Sequence, residues 1–359
     1  EVSTNGQVSG RRNIVYNGGM QVAQRATSAT GVGSASGYFT LDRHKAMASA
    51  TAGRLTMTQT ADGPSGFANC IKLDCTTADT SIAAGEYFFL TQYFEGQDLQ
   101  SIGKGVTGAK EITVSFYVKA NAAFTFGCEL YDIDNTRQIT KLFDTTTGWV
   151  RHELTFPADV DDGSSPFDDD NAGSMQLSFW LHAGATFTGG TLNTTAWADS
   201  TSANRVAGID SFFSSTDNNF FITGVQLEVG SVATPFEHRS FGEELALCQR
   251  YYEKTYNTTV APATNTVDGS YNFSGASEGN GNVIVPIIFS VAKRAAPSMK
   301  GYRTANTADQ WDMQKSGSTT VGAITFDRIG VNTTRAYIVA GANWTVAYVY
   351  GHWVADSEL

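Results

Sequence analysis

Short runs of alternating apolar and polar residues recur along most of the chain. Leu55 and Met57 alternate with Arg54, Thr56 and Thr58, and residues 112–118, 150–156, 175–181 and 221–229 repeat the pattern. One apolar and one polar face per run predicts strands of an antiparallel sandwich, packed on one side and wet on the other. Turn clusters of Gly, Asn and Asp separate the runs, and one long acidic loop covers residues 159–171. These features predict a β-sandwich over residues 13–239, preceded by a polar arm at residues 1–12.

The period then changes. Ser240 stands three residues before Glu243, the spacing of a capping box, and Phe241, Leu245, Cys248 and Tyr252 follow at helical intervals. Leu247 and Tyr251 add a second apolar row. The prediction is a helix over residues 241–256, so that 240–256 links two sandwiches. Beyond it the alternation returns. Asn280-Gly281 is a hairpin signal between residues 270–273 and 283–289, and Pro286 assigns the second run to a sheet edge or bulge. Aromatics crowd residues 336–339 and 346–354, and residues 257–359 read as a smaller C-terminal β-domain.

Composition sharpens the fold class to all-β. Of 359 residues, 43 are Thr and 36 Gly, 12% are aromatic and only 16% charged, so strand and turn formers outnumber helix formers. The net charge of −11 argues against a phosphate-backbone binder and disfavours docking on anionic membranes. Residues 283–292 form the longest apolar run, interrupted by Pro286 and Ser290 and far short of the ~20 residues of a spanning helix. The opening Glu1-Val2-Ser3-Thr4 lacks the basic and apolar regions of a secretory signal. A start at Glu1 rather than Met is consistent with a processed or truncated product. In one extended strand Cys70 and Cys75 face opposite sides about 16 Å apart, beyond the ~7 Å reach of a disulfide. Free, buried thiols are expected for all four cysteines, in keeping with assembly in a reducing cytoplasm.

Motifs for catalysis fail on context. Gly275-Ala276-Ser277-Glu278-Gly279 matches a nucleophile elbow but lacks the helix that must follow it. The histidines, His44, His152, His182, His238 and His352, show no zinc-type spacing. Glu243 and Glu244 are adjacent on a helix and point ~100° apart, so they are not a glycosidase pair. Asp161, Asp168, Asp169 and Asp170 offer hard oxygens that suit calcium, although the loop lacks the spacing of a calcium-binding loop; a solvated acidic loop is the simpler expectation there and at Asp132-Ile133-Asp134-Asn135. No other cofactor is expected. The remaining handle is aromatic. Tyr271, Tyr302, Trp311 and Trp344 lie in or beside polar, turn-like stretches and are the candidates for stacking on a sugar, with core packing as the competing role.

Three segments carry a family resemblance. Residues 13–25, from Asn13 through Asn17-Gly18-Gly19-Met20 to Arg25, followed by Leu41-Asp42-Arg43, resemble the opening of tailed-bacteriophage fibre and virion-surface proteins. Residues 220–230, closed by Ala233-Thr234-Pro235-Phe236-Glu237-His238-Arg239-Ser240-Phe241, and residues 248–254 are similar to two further hallmarks. The same stretch resembles, more loosely, a jelly-roll carbohydrate-binding module, which makes the expected sandwich jelly-roll-like. Gln21 and Thr223-Gly224 stand where such modules carry acidic residues, which argues against a calcium site at those positions.

The resemblance implies a non-enzymatic tail fibre that attaches the virion to a bacterial surface glycan or protein. It implies a homotrimer joined to other virion proteins through residues 1–12, with 257–359 as the receptor-binding head. Such a protein sits on the virion tail after assembly in the host cytoplasm, without nucleic-acid binding or membrane insertion. A capsid- or tail-decorating protein is the alternative, and a capsule depolymerase a further one.

Overall fold

Alternating apolar positions build twelve strands in the first part of the chain: β1 (Ser28–Val32), β2 (Lys45–Ser49), β3 (Arg54–Thr60), β4 (Cys70–Thr77), β5 (Tyr87–Glu95), β6 (Ile112–Ala120), β7 (Thr125–Asp132), β8 (Arg137–Asp144), β9 (Val150–Phe156), β10 (Gly173–Ala183), β11 (Ala198–Asp199) and β12 (Asn219–Val229). The computed structural model describes residues 11–160, 165–275, 282–315, 318–339 and 347–359. Two six-stranded antiparallel sheets result, in the orders β1-β3-β4-β12-β6-β9 and β11-β8-β7-β10-β5-β2. They form a jelly-roll-like sandwich with an aromatic core. Phe116 of β6 meets Phe143 of β8 and Phe179 of β10 at centroid distances of 5.0 and 4.9 Å, and Phe126 of β7 meets Phe220 of β12 at 5.6 Å. All four cysteines are free and buried, as expected from their spacing.

The first unit comprises Ser28–Arg239 with the segment ending at Gln21; Val22–Thr27 and Ser240–Leu359 form the second. The helix therefore belongs to the second unit rather than standing as a linker, and it is shorter than its periodicity suggests. It spans Phe241–Gln249, with the capping box formed: Ser240 Oγ accepts from the Glu243 N–H at 3.3 Å and the Ser240 N–H donates to Glu243 Oε2 at 2.9 Å. Helical spacing continues through Tyr252, but residues 252–254 take up a strand, β13 (Tyr252–Lys254), paired with the end of the chain. Tertiary pairing overrides the local period there.

Seven further strands complete this unit: β14 (Tyr271–Gly275), β15 (Asn282–Ile288), β16 (Ser298–Tyr302), β17 (Gln310–Lys315), β18 (Ser318–Asp327), β19 (Thr333–Val339) and β20 (Ala347–Asp356). The long β20 organises them. It pairs with β14 and β17 over its first half and with β13 and β16 over its second. These strands and β13 form one eight-stranded sheet, with a single core including Val283, Val285, Ile287, Trp311, Met313, Ile338, Val349 and Trp353. Strand β15 lies at the sheet edge, where Pro286 costs no ladder bond. Because β15 pairs with β19 and β14 with β20, the two runs flanking Asn280-Gly281 are not partners in a hairpin. That dipeptide and most of the Gly275–Gly279 motif lie outside the described residues, as does the arm up to residue 10.

The first sandwich departs from simple alternation in its central strands. Nearly every residue of β10 and β12 is buried, including the polar ones. On β12 the polar side chains are sealed by residues 231–239. Glu228 accepts from the Thr234 N–H at 2.8 Å, and Gln226 Oε1 accepts from the Glu237 N–H at 2.8 Å. The same tail reaches the opening segment. Glu237 accepts from the N–H groups of Arg12 and Asn13, at 3.2 and 2.7 Å, and Arg239 donates to the Val15 carbonyl at 3.1 Å. Asn13 Oδ1 in turn accepts from the N–H groups of Val15 and Leu227. Gly18 closes this clasp: any Cβ there would collide with the Val225 carbonyl.

Burial alone would raise the Glu237 carboxyl, but the Asn13 and Arg12 N–H groups and the Arg239 guanidinium outweigh it and hold its pKa below the ordinary value. A depressed carboxylate contributes stability above its unfolded pKa and loses it as pH falls through the folded one. Glu237→Gln is therefore expected to destabilise the protein by about 1–2 kcal/mol at pH 7. In denaturant unfolding, the gap between wild type and variant should close as pH drops below about 4. A gap unchanged down to pH 2 contradicts the clasp's charge dependence.

Candidate functional site

The aromatics that the sequence marks as sugar-stacking candidates do not assemble. Trp311 is fully buried in the C-terminal core, with Nε1 donating to the His352 carbonyl at 2.9 Å, so it is removed from any binding surface. Tyr271 pairs opposite Gly351 and Tyr302 opposite His352. Neighbouring residues of a strand face opposite ways, so these two tyrosines stand on opposite faces of β20. Tyr271 leans toward Trp311, its hydroxyl donating to the Pro286 carbonyl at 2.7 Å. Tyr302 lies beside Tyr256, which stacks on His352 at 3.7 Å. Trp344 lies outside the described residues.

The acidic candidates also separate. Asp168, Asp169 and Asp170 are exposed, and no three carboxylates converge among them. Asp170 Oδ1 accepts from the Ala172 N–H at 2.8 Å, and Asp161 lies outside the described residues. The flanks of the loop are not solvated as expected. Asp132 is fully buried against Lys104 at 2.5 Å, and Asp159 is buried between Arg137 at 3.0 Å and Lys104 at 3.5 Å. These pairs neutralise charge inside the fold.

A different surface gathers polar and aromatic side chains: the outward face of the sheet β11-β8-β7-β10-β5-β2. Strand register places Tyr93, Gln176, Tyr131 and Gln138 in one row across four neighbouring strands. The next row is Lys45, Thr91, Ser178, Glu129 and Thr140. Tyr93 and Tyr131, two strands apart, are separated by about 10 Å and both are half-buried. Tyr38 extends the row, with the Lys45 ammonium 5.4 Å from its ring and 5.0 Å from that of Tyr93.

One end of this face is roofed. The segment after β10, which includes the short helix α1 (Ala185–Thr188), covers Phe89 and Trp180 with Val206, Phe187 and Ile209. Arg205 descends from it to lie 4.8 Å from the rings of both Tyr131 and Trp180. Its guanidinium donates twice to Glu129, at 2.7 Å each, and Trp180 Nε1 donates to the same carboxylate at 2.8 Å. Glu129 is fully buried, so this fork satisfies a charge with no access to water. Burial would lower the Arg205 pKa, but the Glu129 charge more than offsets it and the guanidinium is held above its ordinary value. The result is a shallow trough beside Arg205 in which Tyr93 and Tyr131 are half-buried, while Gln138 and Gln176 beneath them are buried and the Gln138 amide is taken by Thr201 and Ser200; the flat tyrosine rings suit stacking on a sugar ring.

Sequence reasoning passed over these residues. The one available signal was strand β5, Tyr87-Phe88-Phe89-Leu90-Thr91-Gln92-Tyr93, where aromatics occupy both parities and so announce a strand covered on both faces. Which other strands complete the row depends on register.

No protein-family model and no curated protein matches the chain. Among solved structures, a family 61 carbohydrate-binding module in complex with β-1,4-galactotriose is similar at 11% identity, over 61% of this chain and 99% of that one, with a TM-score of 0.30. A family 11 module from Clostridium thermocellum, in complex with a β-1,3-1,4-mixed-linked tetrasaccharide, gives 10% identity over 58% and 99%, TM-score 0.28. The enzymatically active domain of tailspike protein 4 from bacteriophage CBA120 gives 13% identity over 60% of this chain and 21% of that one, TM-score 0.31. Likenesses this distant carry no binding residue of those proteins onto this chain.

The Arg205–Glu129 fork yields a stability test. Arg205→Met strands a buried carboxylate and is expected to cost about 3–5 kcal/mol in denaturant unfolding. Adding Glu129→Gln should recover most of that loss. A double variant no more stable than Arg205→Met contradicts the assignment.

Proposed function

We propose that this chain is a bacteriophage tail-fibre protein that attaches the virion to its bacterial host by binding a cell-surface glycan in the trough of the first sandwich. The observation that carries this reading is the row Tyr93–Gln176–Tyr131 with Lys45 and Arg205 beside it. Two tyrosine faces about 10 Å apart give a short oligosaccharide two stacking positions. The tyrosine hydroxyls and the Lys45 ammonium beside them supply donors and acceptors for its hydroxyls. The virion assignment rests on the sequence resemblance at residues 13–25, 220–241 and 248–254. In the fold, the first two of these segments belong to the clasp, so they speak for a shared scaffold and leave receptor choice to other residues.

In this reading the protein is a homotrimer on the virion tail, joined to other virion proteins through its N-terminal side. It is assembled in the host cytoplasm and binds without catalysis. Three weak sites on one particle reinforce one another by raising the effective concentration of the second and third contacts. Residues 257–359 are the remaining candidate for contact with the host, although their proposed aromatics do not form a common surface.

Binding of the fluorescently labelled full chain to a panel of bacterial strains and to their purified surface polysaccharides tests the proposal. The wild type is expected to bind at least one strain, and Tyr131→Ala and Tyr93→Ala should each weaken that binding about tenfold or more, equivalent to about 1.4 kcal/mol. Binding by both variants equal to wild type moves the receptor site away from the trough. No binding to any strain infected by the parent particle favours a decorating protein. Release of new reducing ends from a bound polysaccharide identifies a depolymerase instead.

A further inference from the structure

Asp79, Glu86 and His182 meet at one end of the first sandwich. Asp79 follows β4, Glu86 immediately precedes β5, and His182 lies near the end of β10, so the cluster spans the crossing from one sheet to the other. All three residues are buried, His182 completely, beneath the exposed turn at residues 80–85. One potential ligand atom from each lies within 4.8 Å of the others.

Two buried atoms of the cluster, Glu86 Oε2 and His182 Nε2, lack a hydrogen-bond partner. Asp79 Oδ2 accepts from Thr51 Oγ1 and from the Ala52 N–H, both at 2.8 Å. His182 Nδ1 lies 2.8 Å from Ser211 Oγ; with the ring donating there, Nε2 is left as a bare lone pair. Glu86 Oε2 faces that nitrogen at 3.6 Å, and neither atom has a hydrogen-bond partner. In that tautomer both atoms are acceptors and a cation between them satisfies both; in the other, with Ser211 donating, the Nε2–H at 3.6 Å is still too far from Glu86 Oε2 for a hydrogen bond. A proton shared by the two carboxyls accounts for the closeness of Asp79 and Glu86 but leaves this pair unmet.

We propose that Asp79, Glu86 and His182 bind a divalent transition-metal ion of the zinc class. Ligands about 2.1 Å from a tetrahedral ion stand roughly 3.4 Å apart, close to the separation of the two unpartnered atoms. One imidazole and two carboxylates suit zinc, whereas calcium prefers an all-oxygen shell. Ser211 holds the imidazole in the ligating orientation, and Thr51 with Ala52 fixes Asp79, the kind of outer support that metal-binding side chains require. Water fills the fourth position. The ion pins the β4–β5 crossing to the end of β10, which makes it a structural staple independent of glycan binding.

The test uses the untagged full chain, stripped with chelator and dialysed against zinc chloride or, separately, calcium chloride. Elemental analysis should find about one zinc per chain, and zinc but not calcium should raise the melting temperature. Glu86→Gln and His182→Ala are each expected to weaken zinc binding at least tenfold and to abolish the thermal shift, with folding checked by circular dichroism. If His182→Ala does not fold, the near-isosteric Glu86→Gln decides. Stripped wild-type protein that takes up no zinc, or a folded Glu86→Gln that takes it up as wild type does, overturns the site. Uptake of calcium in preference to zinc overturns the metal class.

Discussion

A polar side chain on a strand covered from both sides must find its partner inside the protein, because an unpaired buried charge or amide costs several kcal/mol. Strands β10 and β12 sit at the centres of the two sheets of the first sandwich and are buried along almost their full length. Much of the surrounding structure answers that demand. The tail at residues 231–239 folds over β12 to satisfy Gln226 and Glu228. The segment after β10 folds over the opposite sheet, and its Arg205 satisfies Glu129 on the strand beside β10. Each covering segment then does a second job: the first locks the start of the chain through Glu237 and Arg239, and the second walls the trough.

That dual use explains why the trough is bounded. Had the outward face of β5, β10 and β7 been wholly open, Phe89 and Trp180 would lie in water; had it been wholly roofed, Tyr93 and Tyr131 would be core residues. The cover stops between the row containing Phe89 and the row containing Tyr93, so apolar bulk is protected while tyrosine faces remain reachable. The Asp79–Glu86–His182 cluster shows the same economy at the end of the sandwich. There the sheet-to-sheet crossing brings carboxylates to a histidine that follows the register shift after Trp180.

The second unit is organised differently. Strand β20 serves as partner to four others, two at each end, so residues far apart in sequence are brought to a single spine. Gly351 is the point where this is tightest, since a side chain there would enter the Trp311 ring. The alternation of β20 also separates the aromatics: one parity feeds the core around Trp311 and Trp353, the other the stack of Tyr256 on His352. A reading of the sequence that treats exposed-looking aromatics as one set has no means of seeing that split.

The sequence by itself determined the all-β class, the free thiols, the Ser240–Glu243 cap and that the Pro286 strand lies at an edge or a bulge, because each depends on periodicity or on contacts between near neighbours. It stopped short wherever distant segments compete. Helical spacing through Tyr252 lost to pairing with the last residues of the chain, and the Asn280-Gly281 signal did not make its flanking runs partners. The trough and the Asp79–Glu86–His182 cluster were invisible for the same reason. Tyr93, Tyr131 and Gln176 become neighbours only through strand register, and His182 reaches Glu86 only after nearly a hundred residues of intervening sandwich. Alternation tells which way a side chain points within its own strand; only the tertiary structure decides what it points at.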